Sequence, residues 1–413
     1  MTTEIHIHWQ GETHLAGRLH TPERGTSASF EYAQGWLARP DAFALDPTSL
    51  PLQRSTHHLA QLPSVFQDAG PDRWGRLLIE RAVRKKVLAQ KPWRDLDYVL
   101  ALDDASRIGA LRFREQGGET FLSATHGKLP PLVRLTTLLQ AADAIHHENE
   151  SAADLRHLLA EGSPLGGARP KSAVLLKDGR LAIAKFPKPD DRRDIAAGEI
   201  LAMSLARKAG IRVADHQRVN AAGRSVSVIT RFDRDADGAR VPFISAATLL
   251  GLSAGTSASY TMIADAIRQF GDEVTPDLHE LWRRMVFSLL VSNRDDHERN
   301  HALLMRQPGR WALSPAYDLN PVPEIDRVQL HQTAISEDSG EPSVSEALAV
   351  AARFALKHPA AKQVLKEVLN AVETWREEAG QLRLKAGTLT AYESAFEHDL
   401  ILEARRAVQG GRA

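Results

Sequence analysis

The sequence predicts an α+β chain of two lobes, a mixed α/β N-terminal lobe followed by a helical C-terminal lobe. Three observations carry this expectation. Strand-like and helical runs alternate up to about residue 235, helical periodicity dominates beyond it, and 413 residues are too many for one small core. Composition shifts suggest three segments: 1–125, 126–235 and 236–413.

The elements follow in chain order. "EIHIHW" alternates with period two and "HLAGRLH" reads as its hairpin partner. "DRWGRLLIERAVRKKVL" predicts a helix over 72–88, and "IGALRFRE" predicts a strand. "PLVRLTTLLQAADAIHHE" and "SAADLRHLLAEG" are helical, and the loop "GSPLGGARPK" follows them. "SAVLLKDG" and "RLAIAKFPKP" read as two strands. "DIAAGEILAMSLARKAG" reads as a helix with a glycine stop, and "RSVSVITRFDR" as another strand. "TMIADAIRQFG" and "LHELWRRMVFSLLVSN" carry helical spacing. "HALLMRQPGRWALSPAYDLNP" predicts a hairpin turning at "QPGR", and the remainder from about Ser343 is helical.

Formal net charge is zero, so no global field favours nucleic acid or a membrane surface. The chain has no cysteine, which removes disulfides, thiolate nucleophiles and cysteine-ligated zinc. The start "MTTEIHIHWQ" lacks a basic stretch followed by an apolar run, and no segment offers the roughly 20 apolar residues of a membrane span. A soluble, cytoplasmic protein with no membrane partner is expected.

The chemistry concentrates where an apolar helix, "MVFSLLV", runs into "SNRDDHERNHALL". A charged stretch after a core helix is ordinarily a solvated loop. Phosphoryl transfer needs something more specific: metal ligands, a cation on the phosphates, a loop over them and a carboxylate to orient the attacking hydroxyl. Asp295 and Asn300 stand five positions apart, the spacing that protein kinases use for the catalytic Asp and a metal-binding Asn. Asp296 is one position off. Asp318 follows the predicted hairpin, where a second metal-ligating Asp belongs. Upstream, in matching order, come "GSPLGGARPK" with backbone N–H groups and Lys171 for phosphate, Lys185 in "LAIAKF", Glu199 on the next helix, and "SVITRFDR" for adenine.

Each piece has an ordinary alternative. Glycine pairs are usually turns, and this loop is not a Walker A sequence, because Ala168 stands where Lys would be needed. Lys185 alone reads as a solvent-facing strand residue, Glu199 as a surface helix residue, and Asp318 as a turn residue. Asp296, His297 and His301, joined by His57–His58 or His146–His147, offer a metal cluster as in metal-dependent phosphohydrolases. The ordered set, rather than any member, points to phosphoryl transfer.

"GGARPK", "AIAKFP", "ITRFDR", "RDDHERNH" and "PAYDLNP" resemble the signature segments of HipA-type toxin kinases, serine/threonine-protein kinases of toxin–antitoxin pairs. "HLAGRL", "LPSVFQDAGPDRWGRLLI" and "DDASRIGALRF" resemble that family's N-terminal domain, so the likeness runs from about residue 5 to about residue 330. It implies a protein-kinase-like fold using ATP and Mg²⁺. By that resemblance Asp295 matches the catalytic Asp, and Asn300 and Asp318 match the Mg²⁺ ligands. Lys185 matches the phosphate-binding Lys, while Gly166, Gly167, Ala168, Arg169, Pro170 and Lys171 match the nucleotide-phosphate loop. Thr230, Arg231 and Phe232 match the adenine hinge, and His297, Glu298, Arg299 and Tyr317 fall where nucleotide contacts are implied.

Ser163 matches a loop Ser that the family autophosphorylates, which ejects the loop; the added charge of about −1.5 to −2 could not share a pocket with ATP phosphates. This chain departs from the best-known members in one extra residue between that Ser and the glycines, and Pro164 stiffens the loop. The resemblance also implies a helix-turn-helix antitoxin (HipB-like), operator DNA reached through it, and a protein substrate among translation components such as an aminoacyl-tRNA synthetase. Two alternatives stay open: a small-molecule phosphotransferase of the antibiotic type, and a non-catalytic co-repressor.

Overall fold

The computed structural model describes residues 2–123, 129–160, 169–253, 255–326, 332–338 and 340–410. The chain divides into two compact units: Met1–Asp190 with Val219–Gly251 and Gln307–Gly309, and Asp191–Arg218 with Leu252–Arg306 and Arg310–Ala413.

In the first unit, β1 (Thr2–Trp9) and β2 (Glu12–His20) form the expected antiparallel hairpin. Its two-residue turn puts Gln10 and Gly11 at φ 51° and 82°, and such a turn matches the natural twist of the strands. β3 (Ala28–Tyr32), β4 (His57–Leu59) and β5 (Leu111–Glu115) complete an antiparallel sheet in the order β4-β3-β2-β1-β5. Buried Phe30, Phe66 and Phe113 pack edge-on or tilted, with ring centroids 5.7 and 6.0 Å apart around Phe66.

The helix Arg73–Arg84 starts at Asp72, whose side chain accepts the Gly75 N–H. It stops four residues before the sequence reading of 72–88 ended, and Lys86 takes a left-handed φ of 58° just beyond. The expected helix over 131–148 opens with a 3-10 turn, Leu132–Arg134, before the helix Leu135–His146. These helices and Ala152–Ala160 bury one apolar face against a second sheet. That sheet contains β6 (Lys171–Leu175), β7 (Leu181–Lys185), β8 (His216–Ala221) and β9 (Arg224–Thr230), in the order β6-β7-β9-β8. Trp74, Leu78, Leu139, Val174, Ala184 and Val228 form the middle of that core.

The turn after β9 carries a buried ionic knot. Asp233 receives the guanidinium groups of Arg231 and Arg234 and the Gly109 N–H, and Arg231 also donates to the carbonyls of Ser106 and Arg107. Burial pushes the Asp233 carboxyl up, but the two guanidiniums outweigh it and hold it well below the usual carboxylate range. β10 (Phe243–Ser245) follows, and the buried Asp68 carboxylate accepts from both Ser245 N and Oγ.

The second unit is mainly helical. Ile195–Lys208 is capped by Asp194 and stops before Gly210 (φ 79°). Gly198 on this helix lies where any Cβ would strike the Tyr392 ring at 2.3 Å. The long helix Val274–Leu290 is buried on nearly every side and packs against Tyr260–Phe270 and His358–Glu373. β11 (Ala302–Gln307) and β12 (Arg310–Leu313) form the expected hairpin, reversing at Gly309 (φ 70°). The helices Trp375–Gln381, Ala386–Phe396 and Asp399–Gln409 close the chain. Among the described residues, no helix is long and apolar enough to cross a membrane.

Candidate active site

The charged stretch after the core helix is built rather than loose. Val274–Leu290 ends when Ser292 turns left-handed (φ 54°), with Asn293 N–H returning to Ser288 O at 2.9 Å. This capping turn satisfies the last carbonyls and swings the chain sharply into residues 293–300. The aspartates that open this stretch then part company. Asp296 is buried; its Oδ2 accepts the hydroxyls of Tyr260 and Ser288 (3.1 Å to Ser288), and His301 Nε2 lies 3.1 Å from its Oδ1. Burial, then the Asp296 charge beside it, push the Tyr260 hydroxyl well above its ordinary pKa, so it stays a donor. Asp295 is exposed, and its Oδ1 accepts from Gln332 Nε2 at 2.5 Å. The neighbouring carboxylates therefore have opposite surroundings, one anchoring the loop and the other presented on it.

Asn300 sits on the same loop, at the end of the 3-10 turn Glu298–Asn300. Its Nδ2 donates to the Asp295 carbonyl at 3.1 Å, which fixes the amide plane. Its Oδ1 is buried with no hydrogen-bond partner. A buried acceptor left unmatched costs free energy, so an oriented, unmatched amide oxygen suits a cation.

Asp318 reaches the loop through the hairpin. Asp277 on the long helix accepts the Leu313 N–H at 2.8 Å, and Arg284 donates to the Ser314 carbonyl at 2.7 Å, so the helix holds the end of β12. The segment beyond is tied to the loop at three points: Tyr317 Oη to Arg299 O (2.7 Å), Asn320 N to Asn293 Oδ1 (3.1 Å) and Val322 N to Ser292 O (3.2 Å). Asp318 has a left-handed φ of 58°, a conformation Asp tolerates better than most residues, and Asn320 Nδ2 steadies its Oδ1 at 2.9 Å. Asp295, Asn300, Tyr317 and Asp318 thus belong to one braced constellation. Oxygen donors from Asn300 and Asp318 are the hard ligands that Mg²⁺ prefers, and the unmatched Asn300 oxygen fits that ion.

Other positions on the loop take supporting places. Glu298 is buried and its carboxylate accepts the Ala258 N–H; Arg299 is exposed; His297 has a buried Nδ1 without a hydrogen-bond partner. The metal-cluster alternative through Asp296, His297 and His301 gains nothing, since Asp296 is taken up by hydroxyls. Among the described residues no group of three or more His, Cys, Asp or Glu side chains could hold a metal.

In the first unit, Lys185 ends β7, half-buried, with Ser227 of β9 as its register partner. Thr230 ends β9, and the Arg231 N–H is committed to Leu181 O at 2.9 Å. The Arg231 side chain belongs to the Asp233 knot, so only backbone in this hinge is left for recognition of a base. Phe232 is half-buried and Pro170 buried.

Lys171 differs from its expected setting. It opens β6, 1% exposed, with Nζ 2.6 Å from Asp72 Oδ2, and Trp74 Nε1 donates to its carbonyl at 3.1 Å. The sequence reading offered its ammonium to phosphate; the structure clamps both ends of the residue to the start of the helix Arg73–Arg84. Ser163, Gly166, Gly167 and Ala168 lie outside the described residues. Glu199 is buried on its helix, 2% exposed, and so is not the surface residue that a helical position alone suggests.

Asn293, Asn320, Tyr260, Ser288 and Gln332 were not legible as site residues. Asn293 and Asn320 repeat the pattern of a short Asn beside an Asp, but nothing in one sequence says that they bond to each other.

Comparison with known proteins places these features. Residues 6–114 match the HipA N-terminal domain and residues 163–376 match the HipA-like C-terminal domain. The Sinorhizobium fredii protein named "Putative kinase Y4mE" is 27% identical over 347 residues, 76% of each chain. A Haemophilus influenzae protein named "Putative kinase" is 28% identical over 190 residues, 40% of this chain, and the match spans only 55% of that relative's length. The solved complex of the Shewanella oneidensis toxin–antitoxin system, HipA with HipB and operator DNA, contains a chain that superposes with a TM-score of 0.69 at 17% identity, over 99% of this chain and 97% of that one. At that identity the match shows a shared fold.

Proposed function

From the premise that this chain belongs to the HipA-like family, we propose that it is an ATP- and Mg²⁺-dependent serine/threonine protein kinase acting as the toxin of a toxin–antitoxin pair. The observation that carries the reading is the Asn300 amide, held by the Asp295 carbonyl with its oxygen buried and unmatched beside a presented carboxylate. A solvated loop would have no reason to arrange this.

Mg²⁺, when bound, neutralises phosphate charge. Asn300 and Asp318 are the residues that hold it. Asp295 accepts a hydrogen bond from the acceptor hydroxyl and aligns it for in-line attack; an exposed carboxylate is a weak base, so its contribution is orientation. Lys185 places a positive charge on the phosphates, and the backbone of Thr230–Phe232 serves adenine. His297 Nδ1, unmatched in the structure, is a candidate nucleotide contact. Lys171 acts through the clamp to Asp72, as the base of the phosphate loop. Ser163 is the candidate autophosphorylation site. The partner is a HipB-like helix-turn-helix antitoxin that reaches operator DNA, as in the Shewanella assembly, and the substrate class is a hydroxyl-bearing protein of translation.

Calorimetric titration with ATP tests the site. Wild type should bind ATP more tightly with Mg²⁺ than with EDTA, and Asn300→Ala should lose most of that difference while keeping metal-free binding. Equal binding with and without Mg²⁺ in wild type would remove the proposed metal role of Asn300 and Asp318.

A further inference from the structure

Gln332 stands after the hairpin segment, 37 residues from Asp295 in sequence, yet its Nε2 lies 2.5 Å from the Asp295 Oδ1. A carboxylate can only accept, so the amide must donate its N–H to it. This is a held donor rather than a passing surface contact. Gln332 N donates to Arg294 O at 3.3 Å and Thr333 N to Asp296 O at 3.1 Å. The next residue, Ala334, exchanges hydrogen bonds with Ala258 O (3.2 Å) and Tyr260 N (2.8 Å). The backbone around Gln332 is thereby stitched to both sides of Asp295 and to the start of the helix that carries Tyr260. The backbone of Asp295 is fixed from its own loop, its carbonyl accepting His297 N and Asn300 Nδ2, each at 3.1 Å. Its side chain is exposed, and a donor on a rigid support selects one of the rotamers it would otherwise sample.

We infer that Gln332 is a positioning residue that sets the Asp295 carboxylate for the acceptor hydroxyl. This inference rests on the kinase reading of Asp295. It assigns a function to a residue that belongs to none of the recognised signature segments. The contact is partly open to solvent, which limits its strength, so the loss on removal is moderate.

The test measures turnover of γ-labelled ATP with Mg²⁺, counting both released phosphate and label on the protein. It compares wild type, Gln332→Met, Gln332→Glu, Asp295→Ala and the double variant Asp295→Ala with Gln332→Met. Methionine keeps the length and loses the donor. Glutamate keeps the shape and repels the carboxylate. The expected result is a fall in kcat of about tenfold for Gln332→Met and a larger fall for Gln332→Glu, with KM for ATP changed by less than about twofold. In the Asp295→Ala background Gln332→Met should change nothing further. A merely structural role would lower the Asp295→Ala background again and would not separate Met from Glu. Unchanged or raised kcat in Gln332→Met would overturn the inference. Wild-type turnover that is absent, or unaffected by Asp295→Ala, would instead overturn the kinase reading beneath it.

Discussion

Substitution of Asp72 should destabilise the first unit far more than a residue at a helix terminus ordinarily would. The Asp72 carboxylate has two duties: Oδ1 caps the helix Arg73–Arg84 through Gly75 N at 2.7 Å, and Oδ2 neutralises Lys171 at 2.6 Å. The side chains are 5% and 1% exposed, so solvent does little to screen the pair. Loss of the cap costs about 1 kcal/mol. Removing one partner of a buried ion pair costs about 3–5 kcal/mol, because the other charge stays buried without its neutralising carboxylate. Asp72→Ala should therefore lose about 4–6 kcal/mol, and at about 2–4 °C per kcal/mol for a unit of this size the transition should fall by about 8–24 °C. Lys171→Met should cost less, because the helix cap survives. The double variant Asp72→Asn with Lys171→Met should be more stable than the sum of the singles by at least about 2 kcal/mol. Chemical denaturation of the four proteins, following near-ultraviolet circular dichroism from the buried Trp74, gives the cycle. Additive singles, within about 0.5 kcal/mol, would refute the reasoning and return Lys171 to a role at the ligand.

Other predictions follow from the same structure. Tyr260→Phe removes a buried donor to Asp296 and should cost about 1.5–3 kcal/mol in the second unit, read by denaturant titration. Gly198→Ala puts a Cβ against the Tyr392 ring and should cost about 1–3 kcal/mol; Tyr392→Leu in the same chain should recover part of it. Asp233→Asn should cost about 3–5 kcal/mol at neutral pH, since two guanidiniums lose their carboxylate. The Asp233 carboxyl is held below its unfolded value, so its stabilisation is present above that value of about 3.9 and disappears as pH falls through the folded one. The stability difference between wild type and Asp233→Asn should be flat above about pH 5 and shrink only in stronger acid.

Much of the fold could be read from periodicity. The first hairpin, β7, β9, the long helix and the β11–β12 hairpin bury one face or both, and burial writes itself into residue spacing. β8 was not legible: "HQRVNA" is a polar edge strand with a largely exposed surface, so it has no apolar alternation. β4 is three residues long and too short to show a period. The chain also enters the second unit at Asp191, leaves it at Arg218 and returns at Leu252, a path that no local composition shift records.

The site was legible where chemistry imposes a spacing. Asp295 and Asn300 share one turn of a loop, so their separation is a local property. Partnerships across long separations were not legible. Lys171 reads as a loop cation until Asp72, 99 residues away, is found against it. The distinction between Asp295 and Asp296 depends on Tyr260 and Ser288, which come from two different helices. Gln332 has no motif at all, and only the folded chain brings it to the carboxylate.

The central claim is phosphoryl transfer organised by Asp295. The most direct measurement incubates the purified chain with Mg²⁺ and γ-labelled ATP beside Asp295→Ala, followed by mass mapping of any phosphopeptide. The account predicts label on a serine or threonine hydroxyl in the wild type, Ser163 first among them, and a loss of orders of magnitude in the variant. Label appearing equally in both proteins, or no ATP bound by the wild type, would contradict it.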